Sequence, residues 1–227
     1  MFLLKLISLE AKDLLINTKS SISIYIMNFL SIDCSTDTAL LFIKTKSKTF
    51  SKILQSDKLN NDVLMKKILD FFGENNLNLT DINEIFVNQG PGNFSGLRSS
   101  LAVAKGISLS KDINLFGYNT FILICSKFFG KKDSIYALIK FREKYYINKF
   151  NKKLKNVSKI KLVTIDEIVK EYKNNFLVFP KTIKNDCNKK ILQLKNLYAG
   201  ELNHNELEFL KLKGLLDKDL IKPLYLS

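Results

Sequence analysis

Ten consecutive residues, Gln89-Gly90-Pro91-Gly92-Asn93-Phe94-Ser95-Gly96-Leu97-Arg98, carry most of the chemistry this chain has to offer. They follow an apolar run, Ile85-Phe86-Val87, that reads as a buried strand. They lead into residues 97–109, rich in Leu, Val, Ala and Ile and free of proline, which read as a helix. A strand that turns through Gly-Pro-Gly into a helix is a backbone device. Gly90 and Gly92 permit positive φ or close approach, and Pro91 fixes one φ between them. Ser95 is placed to cap the helix with its hydroxyl, and unpaired N–H groups at such an N-terminus attract anions. The loop is therefore either a phosphate cradle or a tight strand-to-helix connection. With neither a Gly-Lys-Ser/Thr ending nor a Gly-x-Gly-x-x-Gly register, the second reading is the better supported.

Other reactive types are sparse. Asp62, Asp70, Asp81 and Glu84 are the acids nearest the loop, and they form no clear acid–base pair. The single histidine, His204, stands in a polar run, Asn203-His204-Asn205-Glu206, so a Ser95–His204 hydrolase pair could be assembled only by folding. One histidine cannot supply a His-x-x-x-His pair, and no metal site is expected. Cys34, Cys125 and Cys187 are widely spaced, and reduced, buried thiols are expected of them.

The elements that must position these groups follow from periodicity. Residues 29–33 and 38–45 read as strands around a turn at Ser35-Thr36-Asp37, and 45–54 as a third. Asp57 opens a helix to about Phe72, with Leu64, Ile68 and Phe72 at i, i+4 and i+8. A strand at 85–88, the helix after the loop, a strand at 114–117 and a helix from Asn119 to Phe128 follow. Residues 134–140 and 144–150 read as paired strands, 159–163 as a short strand, and Thr164-Ile165-Asp166-Glu167 as a capping box opening a helix to Tyr172. Residues 176–179 read as a buried strand and 185–213 as mostly helical. No internal repeat is visible. Helices and strands that alternate after a meander argue for α/β.

The 227 residues hold one large domain or two small ones; 46% hydrophobic and 26% charged residues is ordinary globular composition. The formal charge is +14, from 36 Lys+Arg against 22 Asp+Glu. Such an excess favours a polyanion such as tRNA, with salt-sensitive binding. Nearly all of it is lysine, however, with Arg98 and Arg142 the only arginines, a pattern that also suits drift toward AT-rich codons. Scarce arginine argues against a dedicated base-reading surface. No stretch approaches the ~20 apolar residues of a membrane span, and a cytoplasmic location is expected. Residues 1–26 lack the long uncharged core and cleavage site of a secretion signal, and read as an appendage of doubtful status.

The ten-residue loop resembles the Gly-Pro-Gly-x-Phe-Ser/Thr-Gly-Leu/Val-Arg signature of the TsaB (YeaZ) family. Met27-Asn28-Phe29-Leu30-Ser31-Ile32-Asp33-Cys34-Ser35-Thr36 resembles that family's opening, and Pro223-Leu224-Tyr225-Leu226 its close, with Ser227 where Arg is usual. Ala104-Lys105-Gly106 matches inside the helix. The resemblance runs from about Met27 to the C-terminus. It implies the two-lobed actin-like (ASKHA, ribonuclease H-like) α/β fold with a reduced second lobe, divided as residues 27–117 and 118–227. It implies a non-catalytic subunit of the machinery that makes threonylcarbamoyladenosine in tRNA. The catalytic paralogue TsaD carries a metal-binding histidine pair, which this chain lacks. Implied partners are a TsaD-type catalytic subunit, a TsaE-type ATPase and, through the complex, tRNA.

In the actin-like superfamily an early Asp and the turn after it hold nucleotide phosphates and magnesium. Asp33, Ser35 and Thr36 stand there, and a small-molecule kinase or ATPase of that superfamily acting through them is the second functional reading. The alternative is that Asp33 and Thr36 only brace the hairpin turn. No cofactor of the chain's own is expected; ATP or ADP at the interface shared with TsaD is the nucleotide the resemblance implies. On the signature helix Gly96, Ser100, Ala104 and Ser108 form a stripe of small side chains flanked by Leu97, Leu101 and Ile107, and Ala102 and Gly106 add a second small pair. Small residues let another helix approach, and the stripe serves either a partner or the chain's own sheet. The resemblance implies that this helix and 57–72, through Leu64, Ile68 and Phe72, form the TsaD-binding surface, which a homodimer can also use. An arginine at Ala104 is then expected to block pairing and leave the fold intact.

Overall fold

The computed structural model describes residues 27–55, 61–182 and 187–226. The N-terminal stretch 1–26 and the first turn expected from Asp57 lie outside the described residues. Strands β1 (Phe29–Asp33), β2 (Thr38–Lys44), β3 (Thr49–Gln55), β4 (Glu84–Asn88) and β5 (Asn114–Tyr118) form a sheet in the order β3-β2-β1-β4-β5. The first three make an antiparallel meander, and β4 and β5 run parallel to β1. Two helices, α1 (Asn61–Glu74) and α2 (Phe94–Lys111), complete the crossovers.

A second sheet is built from β6 (Ser134–Phe141), β7 (Lys144–Asn151), β8 (Lys161–Val163), β9 (Leu177–Pro180) and β10 (Leu197–Gly200). Its order, β10-β9-β6-β7-β8, repeats the first: a meander of three strands, then two parallel to its first strand. The two halves thus share one topology although no repeat is legible in the sequence. This duplicated β-meander-plus-crossover plan is the actin-like, ribonuclease H-like fold, and the second half is built from shorter pieces. Its helices α4 (Ile165–Glu171) and α5 (Lys189–Leu192) span two turns or fewer. The capping box is present, with Thr164 N donating to Glu167 Oε2 at 2.6 Å and Glu167 N to Thr164 Oγ1 at 3.2 Å.

Alternation along β1 explains the layering. Leu30 and Ile32 point to one face, where α1 and α2 cover them with Leu64, Ile68, Phe72, Leu101, Ala104 and Ile107. Phe29 points to the other, against Phe42, Phe86 and Phe116. That second face meets the other lobe through α3 (Thr120–Cys125), all of whose residues are buried, and α6 (Glu206–Leu212), which inserts Leu207 and Leu210. Residues 201–226 therefore return to the first sheet, and Gly117 and Asp217 exchange backbone hydrogen bonds of 2.8 and 2.9 Å.

Three expectations are corrected. Residues 185–213 are not mostly helical: β10 lies within them, with two exposed residues at a sheet edge, so its alternation is too weak to stand out among Lys and Asn. Ser95 is not the cap; α2 begins at Phe94, Asn93 is the N-cap, and its side chain makes no capping bond. Ser95 is exposed in the first turn. The small stripe serves the chain's own sheet. Leu64, Ile68, Phe72, Gly96, Leu97, Ser100, Leu101, Ala104 and Ile107 are all buried in the monomer, and Ser108 is half-buried with its hydroxyl donated to the Ile113 carbonyl at 2.6 Å. Ala104 is 0% exposed, so arginine there would break the core rather than only block a partner.

Candidate functional site

The same alternation that points Phe29 and Phe86 between the lobes points Ser31, Asp33, Glu84 and Asn88 there as well. All four polar side chains are buried. Asp33 and Asn88 end the parallel strands β1 and β4, the position at which open α/β sheets bind ligands. Every donor around Asp33 is internal. Its Oδ1 accepts from Ser35 N at 2.9 Å and Ser35 Oγ at 2.6 Å, and its Oδ2 from Asn88 Nδ2 at 2.8 Å. The Asn88 amide also reaches Thr120 Oγ1 at 3.1 Å, and its Oδ1 accepts from Gly90 N at 2.8 Å. Thr36 is exposed and donates to the Thr38 carbonyl at 2.7 Å. Asp33, Ser35 and Thr36 therefore brace the hairpin turn and tie it to the loop. Asn88 and Thr120, which the sequence does not single out, complete the network.

The signature loop closes down on this turn. Asn93 N donates to the Ser35 carbonyl at 2.8 Å. A Cβ on Gly92 would lie 2.6 Å from Ser35 Cα, and one on Gly96 would overlap the Cys34 carbonyl oxygen. Those glycines allow backbone to pack on backbone where a phosphate clasp would need open space. The residues present do not fit a nucleotide phosphate or its magnesium: Asp33 and Ser35 are buried and already bonded, and helix α2 begins against them. Burial, with Asp33 adding to it and a Ser100 hydrogen bond opposing, pushes the Cys34 thiol up to about 12, so it is not a nucleophile at neutral pH.

The closing motif completes the constellation. Leu224 N donates to the Gln89 carbonyl at 2.7 Å, and Gln89 Nε2 to the Lys222 carbonyl at 3.0 Å. Tyr225 stacks on Phe94 with centroids 5.2 Å apart, Arg98 lies 3.9 Å over the Phe94 ring, and its Nε donates to the Tyr225 hydroxyl at 3.2 Å. Segments some 60 and 130 residues apart in the chain thus meet at one loop, with Phe94 (44%) and Tyr225 (50%) forming its exposed rim.

His204 is not paired with Ser95. It is 2% exposed, and its Nδ1 lies 2.9 Å from Ser31 Oγ, with Phe42 and Tyr118 against the ring. Its Nε2 is buried and has no hydrogen-bond partner among the described residues. Burial holds the imidazole below its ordinary value, and the charge of Asp33 partly opposes this. A depressed folded-state value means that the unfolded chain binds the proton first. Stability is then complete above the unfolded value of about 6.5 and falls as pH drops below it, with a limiting slope of about 1.4 kcal/mol per pH unit. His204 is the chain's only histidine. Urea midpoints from pH 8 to 5 should therefore be flat and then fall, and His204→Gln should remove the fall near pH 6; the same fall in that variant would assign it to another group.

Helix α6 anchors this region through Glu208 to Lys44 on β2 and through Lys211 to Glu84 on β4. On the opposite face of the first sheet, α1 and α2 present Val63, Leu69 and Ala102 outward, and Asp62, Met65, Ala102, Gly106 and Ser110 line a groove between the helices.

The comparisons with known proteins agree with this architecture. The family model described as TsaD, tRNA N6-adenosine threonylcarbamoyltransferase, matches residues 55–186, more than half of the chain. The chain is 26% identical over 184 residues to the tRNA threonylcarbamoyladenosine biosynthesis protein TsaB of Buchnera aphidicola subsp. Schizaphis graminum, covering 75% of this chain and 88% of that protein. To the TsaB of Escherichia coli K12 it is 21% identical over 112 residues, 49% of this chain and 48% of that one. The solved structure of YeaZ from Pseudomonas aeruginosa superposes with a TM-score of 0.64 at 14% identity, covering 88% of this chain and all of that one. With the three signature segments gathered at one loop on this fold, the chain belongs to the TsaB/YeaZ family, within the broader group that the threonylcarbamoyltransferase model describes.

Proposed function

We propose that this chain acts in tRNA threonylcarbamoyladenosine biosynthesis as a non-catalytic accessory subunit that binds and activates a TsaD-type catalytic subunit in the cytoplasm. The observation that carries this reading is the closed strand-end site. Where the fold would hold a nucleotide, Asp33 is bonded to Ser35 and Asn88, and Gly92 and Gly96 bring the loop into backbone contact with the turn at Cys34 and Ser35. What the chain offers instead is the outer face of α1 and α2. The residues that meet the partner are the exposed Val63, Leu69, Ala102 and Gly106, not the buried stripe. A second copy of the chain competes for the same face. A TsaE-type ATPase and tRNA are met through the complex. ATP or ADP at the shared interface is held chiefly by the partner, since Asp33 is already engaged. No helix among the described residues is long and apolar enough to cross a membrane.

Native mass spectrometry of the chain mixed with the TsaD-type protein of the same organism tests this. A one-to-one complex is expected. Nothing lies within 4 Å of a Cβ placed on Gly106, so Gly106→Arg should leave thermal stability unchanged. It should weaken pairing about 30-fold or more, the effect of disrupting a central contact. No complex with a folded partner would remove the proposal; a complex indifferent to Gly106→Arg and Ala102→Arg would move the interface elsewhere.

A further inference from the structure

The excess of positive charge lies in the C-terminal half of the chain. Residues 27–117 carry 10 Lys+Arg and 9 Asp+Glu, whereas residues 118–227 carry 23 and 11. Acidic residues are about equally dense in the two halves, so a uniform drift of composition does not account for lysine doubling in one of them. Within the basic half, residues 144–165 hold seven lysines (144, 149, 152, 153, 155, 159 and 161) and no acid.

That stretch is an ordered edge of the second sheet. It comprises β7, the connection after it and the edge strand β8. Leu154 is buried, and the Asn151 side chain accepts from Lys153 N at 2.9 Å and Lys155 N at 3.0 Å. Val157 N donates to the Lys149 carbonyl at 3.0 Å. The lysines are thus presented from a braced backbone. Lys144, Lys152, Lys153, Lys155, Lys159 and Lys161 are exposed. Lys161 lies opposite Ile147 in the ladder and Lys149 two residues from it, so both project from one face. Lys152 is 3.7 Å from the exposed Asp133, and Lys149 lies over Tyr136. The other five form no ion pair among the described residues. From Lys144 to Asn151 the strand extends about 24 Å, room for several successive phosphates of an RNA backbone.

We infer that this lysine edge of the second lobe is a contact surface for an RNA phosphate backbone. Lysine without arginine suits it: ammonium groups neutralise phosphates as point charges and read no base, so the contact steers and holds RNA without choosing sequence. The surface lies on the second lobe, while the α1/α2 face belongs to the first sheet, so RNA and a protein partner can be held together.

The test uses the full chain alone, which separates it from the pairing proposal. Fluorescence anisotropy with an unmodified tRNA transcript, between about 50 and 200 mM salt, should show affinity falling by a few hundred-fold for about five phosphate contacts. Replacing Lys144, Lys153, Lys155, Lys159 and Lys161 together with glutamine should abolish most binding and flatten the salt dependence. Replacing them with arginine should retain binding, which controls for folding. Replacing Lys46, Lys48, Lys66, Lys67 and Lys105 on the first lobe with glutamine removes the same charge and should cost little. Equal losses from the two glutamine sets, or no binding by the parent, would overturn the inference. Poly-aspartate competing as well as tRNA would overturn it in favour of an acidic protein partner.

Discussion

Gly96→Ala is expected to destabilise this protein by about 3 kcal/mol or more, a large part of the ~5–15 kcal/mol that holds a typical domain folded. Glycine to alanine inside a helix ordinarily stabilises by up to about 1 kcal/mol. Here the new methyl group would overlap the Cys34 carbonyl oxygen, and that oxygen cannot retreat. Cys34 follows the last residue of β1, and the turn beyond it is fixed by Ser35 bonding to Asp33 and by Asn93 bonding to Ser35. Relief would require lifting the first turn of α2 off the sheet and with it the loop that seats Leu224. Gly106→Ala, in the same helix with open space around it, is the control and should gain stability. Urea denaturation of the two variants beside the parent reads the contrast. Equal stability of the Gly96 and Gly106 variants would show that the close approach is not a constraint.

Lys211→Met is expected to cost about 3–5 kcal/mol, the range for removing one partner of a buried ion pair. Glu84 is 1% exposed, Lys211 is its ion-pair partner, and Glu84 Oε2 has no hydrogen bond among the described residues. Methionine keeps an apolar stem but removes the ammonium, which lies 5.0 Å over the Phe116 ring, and leaves the carboxylate uncompensated. The double variant Glu84→Gln/Lys211→Met should recover most of the loss, since a neutral amide does not carry the charge penalty. Thermal melts of parent, single and double variants check this. A double variant no better than the single would mean that the loss comes from α6 packing and not from charge.

Much of the fold could be read from local signals. The hairpin at 29–44, the strand before the glycine loop, the Thr164 capping box and the helix start at Asn119 all rest on residues within a few positions of one another. So did the loop's role as a tight connection. The errors have physical causes. A helix that is small and apolar over much of its circumference does not reveal which face meets its own sheet, so the stripe from Gly96 to Ala104 looks the same inside or out. Ala102 and Gly106 are legible as a second small pair on the same helix, but nothing local says that this pair, and not the stripe, faces outward. An edge strand such as β10 buries too little to alternate.

What the sequence by itself determined is the set of short-range choices: where glycine must stand, which turns reverse the chain, and that the reactive side chains include one histidine and three widely spaced cysteines. Those follow from backbone sterics and side-chain type, which act within a few residues. Only the tertiary structure decided the rest. Asn88 meets Asp33 across 55 residues, and His204 meets Ser31 across 173. Whether a buried carboxylate is an open site or a closed brace depends on donors that come from other strands, and so on how the sheet is assembled. The same holds for charge. Lysine counts are written in the sequence, but the β7–β8 pairing and the turn at Asn151 gather them along one edge.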